Sequence, residues 1–223
     1  MRCPRLRNYC KEIAQLKRKS YLNDTYWGKP LPGFGALDPN FVNLVIVGLA
    51  PAAHGANRTG RIFTGDRSGD WLYRALFKAG FANQPHAHDI HDGLELNHCY
   101  VTCAVKCAPP DNKPTPTELK TCSFHLDREL EALTQAKVYI ALGQIAYHAL
   151  WKSLTARPST PGNWIPGRRP DFRHGARILL PGKQWLLLSY HPSQQNTFTG
   201  RLTESMFDGV FNEARAILTN SKG

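Results

Sequence analysis

Four short runs of apolar residues punctuate the chain: LVIVGL (44–49), CYVTCAV (99–105), KVYIALG (137–143) and QWLLLSY (184–190). Each is continuous rather than alternating, which is the pattern of a strand covered on both faces. Between and after them the apolar period lengthens to that of an amphipathic helix. The helical patterns are GDWLYRALFKAGF from 69, TPTELKTCSFHLDRELEAL from 115 and GQIAYHALWKSL from 143. A last one, from Glu204, places Met206, Val210, Phe211, Ala214, Ile217 and Leu218 on one stripe. Strands alternating with helices predict an α/β sandwich around a mainly parallel sheet. At 223 residues the chain reads as one domain, 1–223, with one sizeable core. Two stretches rich in Pro, Gly, His and Arg, 83–97 and 155–177, read as surface loops rather than linkers.

Charge narrows the partners. The 28 Lys and Arg residues against 17 Asp and Glu give a formal net charge of +11, which favours polyanions through phosphate contacts and counterion release. No run of about 18 apolar residues is present, and the N-terminus MRCPRLRNYCKEIAQLKRK lacks an apolar core, so neither a membrane span nor a secretory signal is expected. The expected compartment is the cytoplasm. There, six cysteines point to metal ligands or buried thiols rather than to a disulfide framework.

Parallel α/β sheets bind ligands at the carboxyl ends of their strands, so the loops after the strands are where chemistry is expected. Three are unusual: GLAPAAHGANRTGRIFTGD (48–66), CAPPDNKPTPTELKTC (107–122) and HPSQQNTFTGR (191–201). None matches a dinucleotide fingerprint or a GxxxxGK[ST] phosphate loop, so a nucleotide cofactor is not expected. In the first loop Gly48, Ala50, Ala52, Ala53 and Gly55 are small enough for a ligand to approach the backbone. Phe63 is an apolar plate in a polar loop, suited either to core packing or to stacking on a ring. Asp66 precedes a helical pattern and suits either an N-cap or a functional carboxylate. His191, fixed between a strand and Pro192, is presented rigidly enough to donate to developing negative charge.

In order and spacing, these three segments resemble the signature segments of the uracil-DNA glycosylase superfamily, and specifically its iron–sulfur-bearing type 5 branch. The resemblance runs from CPRL at Cys3 through YWGKPLPGFG at Tyr26 to the last helix. It implies a three-layer α/β/α sandwich around a four-stranded parallel sheet. It also implies hydrolysis of the N-glycosidic bond of uracil, and of other deaminated bases such as hypoxanthine, in DNA, leaving an abasic site. Such an enzyme flips the nucleotide out of the stack, and a basic groove offsets the cost. The bond breaks through an oxocarbenium-like sugar, so the site needs negative charge near C1′, a water and a donor for the departing base.

By this resemblance Phe63 stacks on the flipped base beside Gly48 and Ala50, and His191 donates to the base oxygen. Most of the superfamily carries an acidic residue or asparagine directly after the first-motif glycine. Here Leu49 follows Gly48, as in type 5 relatives, and Asp66 is the substitute, as general base or electrostatic stabiliser. Asn112 is expected to bond the base, and Ser193, Gln195 and Asn196 to meet backbone or phosphate near the abasic side. Lys113 is the lysine nearest to a Schiff-base position, and a lyase step is not expected. The expected partner is damaged DNA, bound by a monomer associated with a prokaryotic nucleoid. Two alternatives stay open: a type 4-like enzyme confined to uracil, and a non-catalytic cluster-bearing nucleic-acid-binding module.

The resemblance also implies a [4Fe–4S] cluster held by Cys107, Cys122 and an N-terminal CxxC. Cys3 matches the second cysteine of that pair, and the first would fall immediately before Met1. Either a ligand precedes the stated start or Cys10, seven residues along a helix from Cys3, supplies it. Cys99 and Cys103 lie within a strand and read as buried thiols. Thr115, Pro116 and Glu118 form a capping box with proline at the first helical position, which fixes Cys122 relative to its loop.

Overall fold

The computed structural model describes residues 3–36, 38–156 and 168–220. The four apolar runs become the parallel strands β2 (Leu44–Gly48), β3 (Cys99–Cys103), β4 (Val138–Leu142) and β6 (Gln184–Ser189). The sheet is larger than four strands. Its order is β1-β3-β2-β4-β6-β5, with β1 (Phe34–Gly35) and β5 (Arg177–Leu180) added antiparallel at the two edges. Neither carries a strand pattern of its own. β1 is two residues long, and a Cβ on Gly35 would lie 2.4 Å from the Cys99 carbonyl oxygen, so only glycine lets the chain lie there. β5 is mostly outside the core and opens inside the stretch read as a loop. Of that stretch, 157–167 lie outside the described residues.

Alternation along each parallel strand divides the core in two. Leu44, Ile46, Val101 and Ile140 face α3 (Arg67–Lys78) and α7 (Glu204–Asn220), whereas Val45, Val47, Tyr139 and Ala141 face α4 (Pro116–Ala132) and α5 (Gln144–Thr155). This is the three-layer sandwich. On α7 the buried stripe runs through Phe207, Val210, Phe211 and Ala214, with Ile217 and Leu218 packed against its edge. Met206, expected on that stripe, is 37% exposed, because Phe207 takes the inward position. α4 starts with the expected box: the Glu118 N–H donates to Thr115 Oγ1 at 3.3 Å, and the Thr115 N–H donates to Glu118 Oε2 at 2.8 Å.

α1 (Pro4–Leu16) stands outside these layers and packs against the loop after β3 through Leu6 and Cys10. The stretch 83–97 is more than surface, since Ala87, Leu94 and Leu96 are buried in the core and Ala82 pairs with Leu96. Among the described residues no helix is long and apolar enough to cross a membrane.

Candidate active site

The loops that follow β2, β3 and β6 converge at the carboxyl edge of the sheet around a cavity of about 850 Å³. Ala50, Phe63, Asp66, Asn112, His191, Ser193 and Gln195 line it, together with Leu49, His54 and Arg67. Gly48 and Asn196, expected to touch substrate, do not line it. Both stand behind residues that do.

Gly48 is the last residue of β2, and a Cβ there would come within 2.5 Å of Phe63 Cζ. The absent side chain is the seat of the phenylalanine ring. Phe63 is 6% exposed, holds a left-handed φ of 52°, and stacks on His191 with ring centres 5.9 Å apart and planes 30° apart. A non-glycine residue in that region costs roughly 1–3 kcal/mol and persists only where its surroundings fix it. Several bonds do so. Arg58 donates to the His54 carbonyl at 2.8 Å, to Asp24 at 2.7 Å and to the Gly65 carbonyl at 3.2 Å. Arg61, buried beneath the loop, pairs both terminal guanidinium nitrogens with Asp92, at 2.9 and 2.6 Å. Burial works against the Asp92 charge, but Arg61 and the N–H groups of His88 and Leu94 outweigh it and hold the carboxyl well below its ordinary range. Thus 83–97 braces the first loop.

Asp66 satisfies both readings of its sequence position. It is the N-cap of α3, with Oδ1 accepting the Gly69 N–H at 3.1 Å, and it also lines the cavity. Its other oxygen faces Gly55, where a Cβ would come within 2.2 Å of Oδ2. Burial pushes the carboxyl above its ordinary range, against the opposing pull of the Gly69 and Ser68 N–H groups.

The second loop presents Asn112 differently. Asp111 and Asn112 both adopt left-handed φ, 52° and 55°, in a 3-10 turn opened by Pro110. Asn112 is exposed, and its amide makes no hydrogen bond among the described residues. In the third loop Ser193 caps α6 (Gln194–Phe198) by accepting the Asn196 N–H at 3.3 Å. The Asn196 amide donates inward, to the His191 carbonyl at 2.8 Å. It fixes the histidine rather than meeting the cavity. Desolvation lowers the His191 pKa to about 4, so near neutral pH the ring is uncharged and carries a single N–H to donate. Arg67 joins the first and third loops, with Nε donating to Thr197 Oγ1 at 3.2 Å.

Sequence reading missed part of the wall: Tyr9, Arg18, Tyr21 and His54 line the cavity too. The three N-terminal residues carry no local motif. His54 sits inside the first signature segment, and only its partner, the Tyr26 hydroxyl 2.9 Å from Nδ1, sets it apart.

Cys3, Cys10, Cys107 and Cys122 meet in one nook between α1, the second loop and α4, and all are free thiols. Cys10 Sγ accepts the Ala108 N–H at 3.2 Å. Its hydrogen bond with Cys107 draws the Cys10 thiol down and pushes Cys107 up. Burial raises Cys122. Among the described residues no three His, Cys, Asp or Glu side chains already stand in metal-ligating geometry. The donor set itself, four soft sulfurs from three segments, suits an iron–sulfur cluster. Cys99 and Cys103 are buried in β3, with Cys103 pushed up to about 12 by desolvation, as inert thiols should be.

The family model described as the uracil DNA glycosylase superfamily matches residues 34–215. A type-5 uracil-DNA glycosylase of Mycobacterium tuberculosis is 47% identical over 216 residues, covering 96% of this chain and 76% of the relative. The type-5 protein of Pyrobaculum aerophilum is 42% identical over 215 residues, 96% of this chain and 87% of its own length. The protein named type-4 uracil-DNA glycosylase from the same organism is 28% identical over 170 residues, 75% of this chain and 74% of its own length.

Proposed function

Because the chain belongs to the uracil-DNA glycosylase superfamily, we propose that it is a monofunctional type-5 enzyme that removes uracil from DNA by hydrolysis. The observation that carries the reading is the pair Asp66 and His191 lining one cavity, a desolvated carboxylate and a histidine held neutral, with Phe63 stacked on the His191 ring. Hydrolysis asks for two things that match them. As the C1′–N1 bond lengthens, positive charge grows on the sugar, and Asp66 stabilises it or orients the water that adds to C1′. The bonding pair leaves with the base, and the neutral His191 N–H donates to the oxygen where that charge gathers. The water's proton passes to Asp66 or to solvent, the departing uracil anion takes up a proton from solvent, and the products are free uracil and an abasic sugar.

Asn112 is the recognition group in this reading. Its free amide offers one donor and one acceptor to a base edge. The cavity has room for a purine, and the groups named around the base are few, which supports removal of other deaminated bases such as hypoxanthine. Cys3, Cys10, Cys107 and Cys122 would hold a [4Fe–4S] cluster. When bound, such a cluster supplies structural ties, fastening α1 to the second loop. The chain's own residues carry the reaction.

The deciding experiment is excision from a uracil-containing duplex, read as alkali-labile sites, by the wild type and Asp66→Ala. Cleavable sites from the wild type and few from the variant support the reading. A wild type that binds the duplex and releases no base hands the molecule to the class of non-catalytic binding modules. Iron and acid-labile sulfide in anaerobically purified protein, lost on Cys107→Ala, test the cluster.

A further inference from the structure

A flipped base does not fill this cavity. Its volume, about 850 Å³, is near the upper end of what encloses a drug-sized ligand, and a single base is smaller than that. The lining also includes Tyr9, Arg18, Tyr21 and His54: a guanidinium, an imidazole and two phenol rings. The two nearby arginines differ. Arg58 is paired with Asp24 at 2.7 Å and lies under the Tyr21 ring at 4.0 Å, whereas Arg18 is exposed and forms no ion pair among the described residues.

His54 is oriented as a donor. The Tyr26 hydroxyl hydrogen has no other acceptor among the described residues, so it is placed on His54 Nδ1 at 2.9 Å. With Nδ1 accepting, the ring proton sits on Nε2, which makes no hydrogen bond among the described residues. Burial, then Arg18 and Arg58, lower the pKa of the ring, so it acts as a neutral N–H donor. An unpaired guanidinium and a free N–H lining the same cavity are the donor set for one phosphodiester, and phenol rings in that lining suit a neighbouring base or sugar.

We propose that Arg18 and His54 form a second subsite, which binds the phosphodiester next to the flipped nucleotide on the same strand. Tyr26 is a positioning residue that holds His54 in its donor tautomer. This subsite rests on the glycosylase reading for its ligand, and binding tests it separately from catalysis.

The experiment measures binding of duplexes carrying an uncleavable tetrahydrofuran abasic analogue, with a neutral methylphosphonate placed in turn at each phosphodiester around the lesion. Wild type, Arg18→Gln, His54→Gln and Tyr26→Phe are compared. One methylphosphonate position is expected to weaken wild-type binding about tenfold and to change Arg18→Gln binding less than twofold, since the partner is already gone. In His54→Gln and in Tyr26→Phe the same position costs less than in wild type, but still more than in Arg18→Gln, because Arg18 remains. The salt slope of Arg18→Gln is shallower by about 0.9, the value for one phosphate contact on duplex DNA. Equal losses at every position in wild type and Arg18→Gln overturn the subsite. A position-specific coupling in a protein that excises no uracil upholds the subsite and overturns the glycosylase reading instead.

Discussion

The loop after β2 and the loop after β3 face one cavity and are built on opposite terms. The first is clamped: Arg58 and Arg61 bind its carbonyls and its neighbours, Gly48 and Gly55 clear room for Phe63 and the Asp66 carboxylate, and Asp66 itself caps a helix. The second is tied down at its two ends, by Cys10 at Ala108 and by the capping box at Thr115, but its tip is shaped by prolines and a 3-10 turn alone and leaves the Asn112 amide exposed and unbonded. A charge acting on a cationic sugar gains from fixed placement in a dry wall, because reorganising it during reaction would cost free energy. An amide that reads a base edge can settle after the base arrives. Changes in the first loop should therefore cost stability and activity together, and changes in the second should cost activity alone.

The strongest break of that contrast is at Asp66. Asp66→Ala should lower excision by about 10²–10⁴-fold, the range for a positioned acid–base group, and lower stability by about 1 kcal/mol through loss of the N-cap. Asp66→Asn keeps a side-chain oxygen for the Gly69 N–H, so denaturant unfolding should recover most of the stability while excision assays stay low. Recovered activity would remove the carboxylate from the mechanism.

Next is the brace beneath the loop. Asp92→Ala leaves Arg61 buried and unpaired, which should cost about 3–5 kcal/mol in chemical denaturation. The Asp92 pKa is depressed in the folded protein, so its contribution is present above the ordinary carboxylate range and declines as pH falls below it. Asp92→Ala should therefore narrow its deficit in strong acid. A constant deficit would mean that Arg61 packs well without a partner.

pH separates the two cavity groups more gently. His191 has a folded pKa of about 4 against an ordinary 6.5, so the unfolded chain binds more protons between those values, and His191 makes the protein less stable as pH falls through that window. His191→Gln should flatten the decline, read from unfolding curves at pH 7 and 4.5. The raised Asp66 pKa has the opposite sign, because its burial costs stability as pH rises and the group ionises. The acid limb of kcat/KM should accordingly belong to Asp66 and lie above the ordinary carboxylate range. The smallest effect on stability is expected at Asn112: Asn112→Gly, which accepts the left-handed φ without strain, should change unfolding by less than about 0.5 kcal/mol while reducing excision. A large loss of stability there would show that the second loop is clamped after all.

The sequence alone determined whatever a local pattern encodes. Continuous apolar runs gave four parallel strands, because a strand covered on both faces has no polar face to alternate. Thr115, Pro116 and Glu118 are all within one turn, so their capping box was legible, and so was the cap at Asp66. The loops that carry the cavity followed from strand ends. Tertiary structure decided what depends on partners far along the chain. β1 and β5 exist because neighbouring strands offer unpaired edges, not because FG or RILL insists on extension. Arg61 finds Asp92, 31 residues away, and Cys10 finds Ala108, 98 away, and no periodicity links either pair. Asn196 turns toward His191 instead of the cavity, and Gly48 serves as the seat of Phe63, because a loop side chain's direction is set by what packs beside it. A strand or helix repeats its geometry every two or 3.6 residues, so its pattern shows in sequence. A cavity wall has no repeat, and only the folded chain brings its residues together.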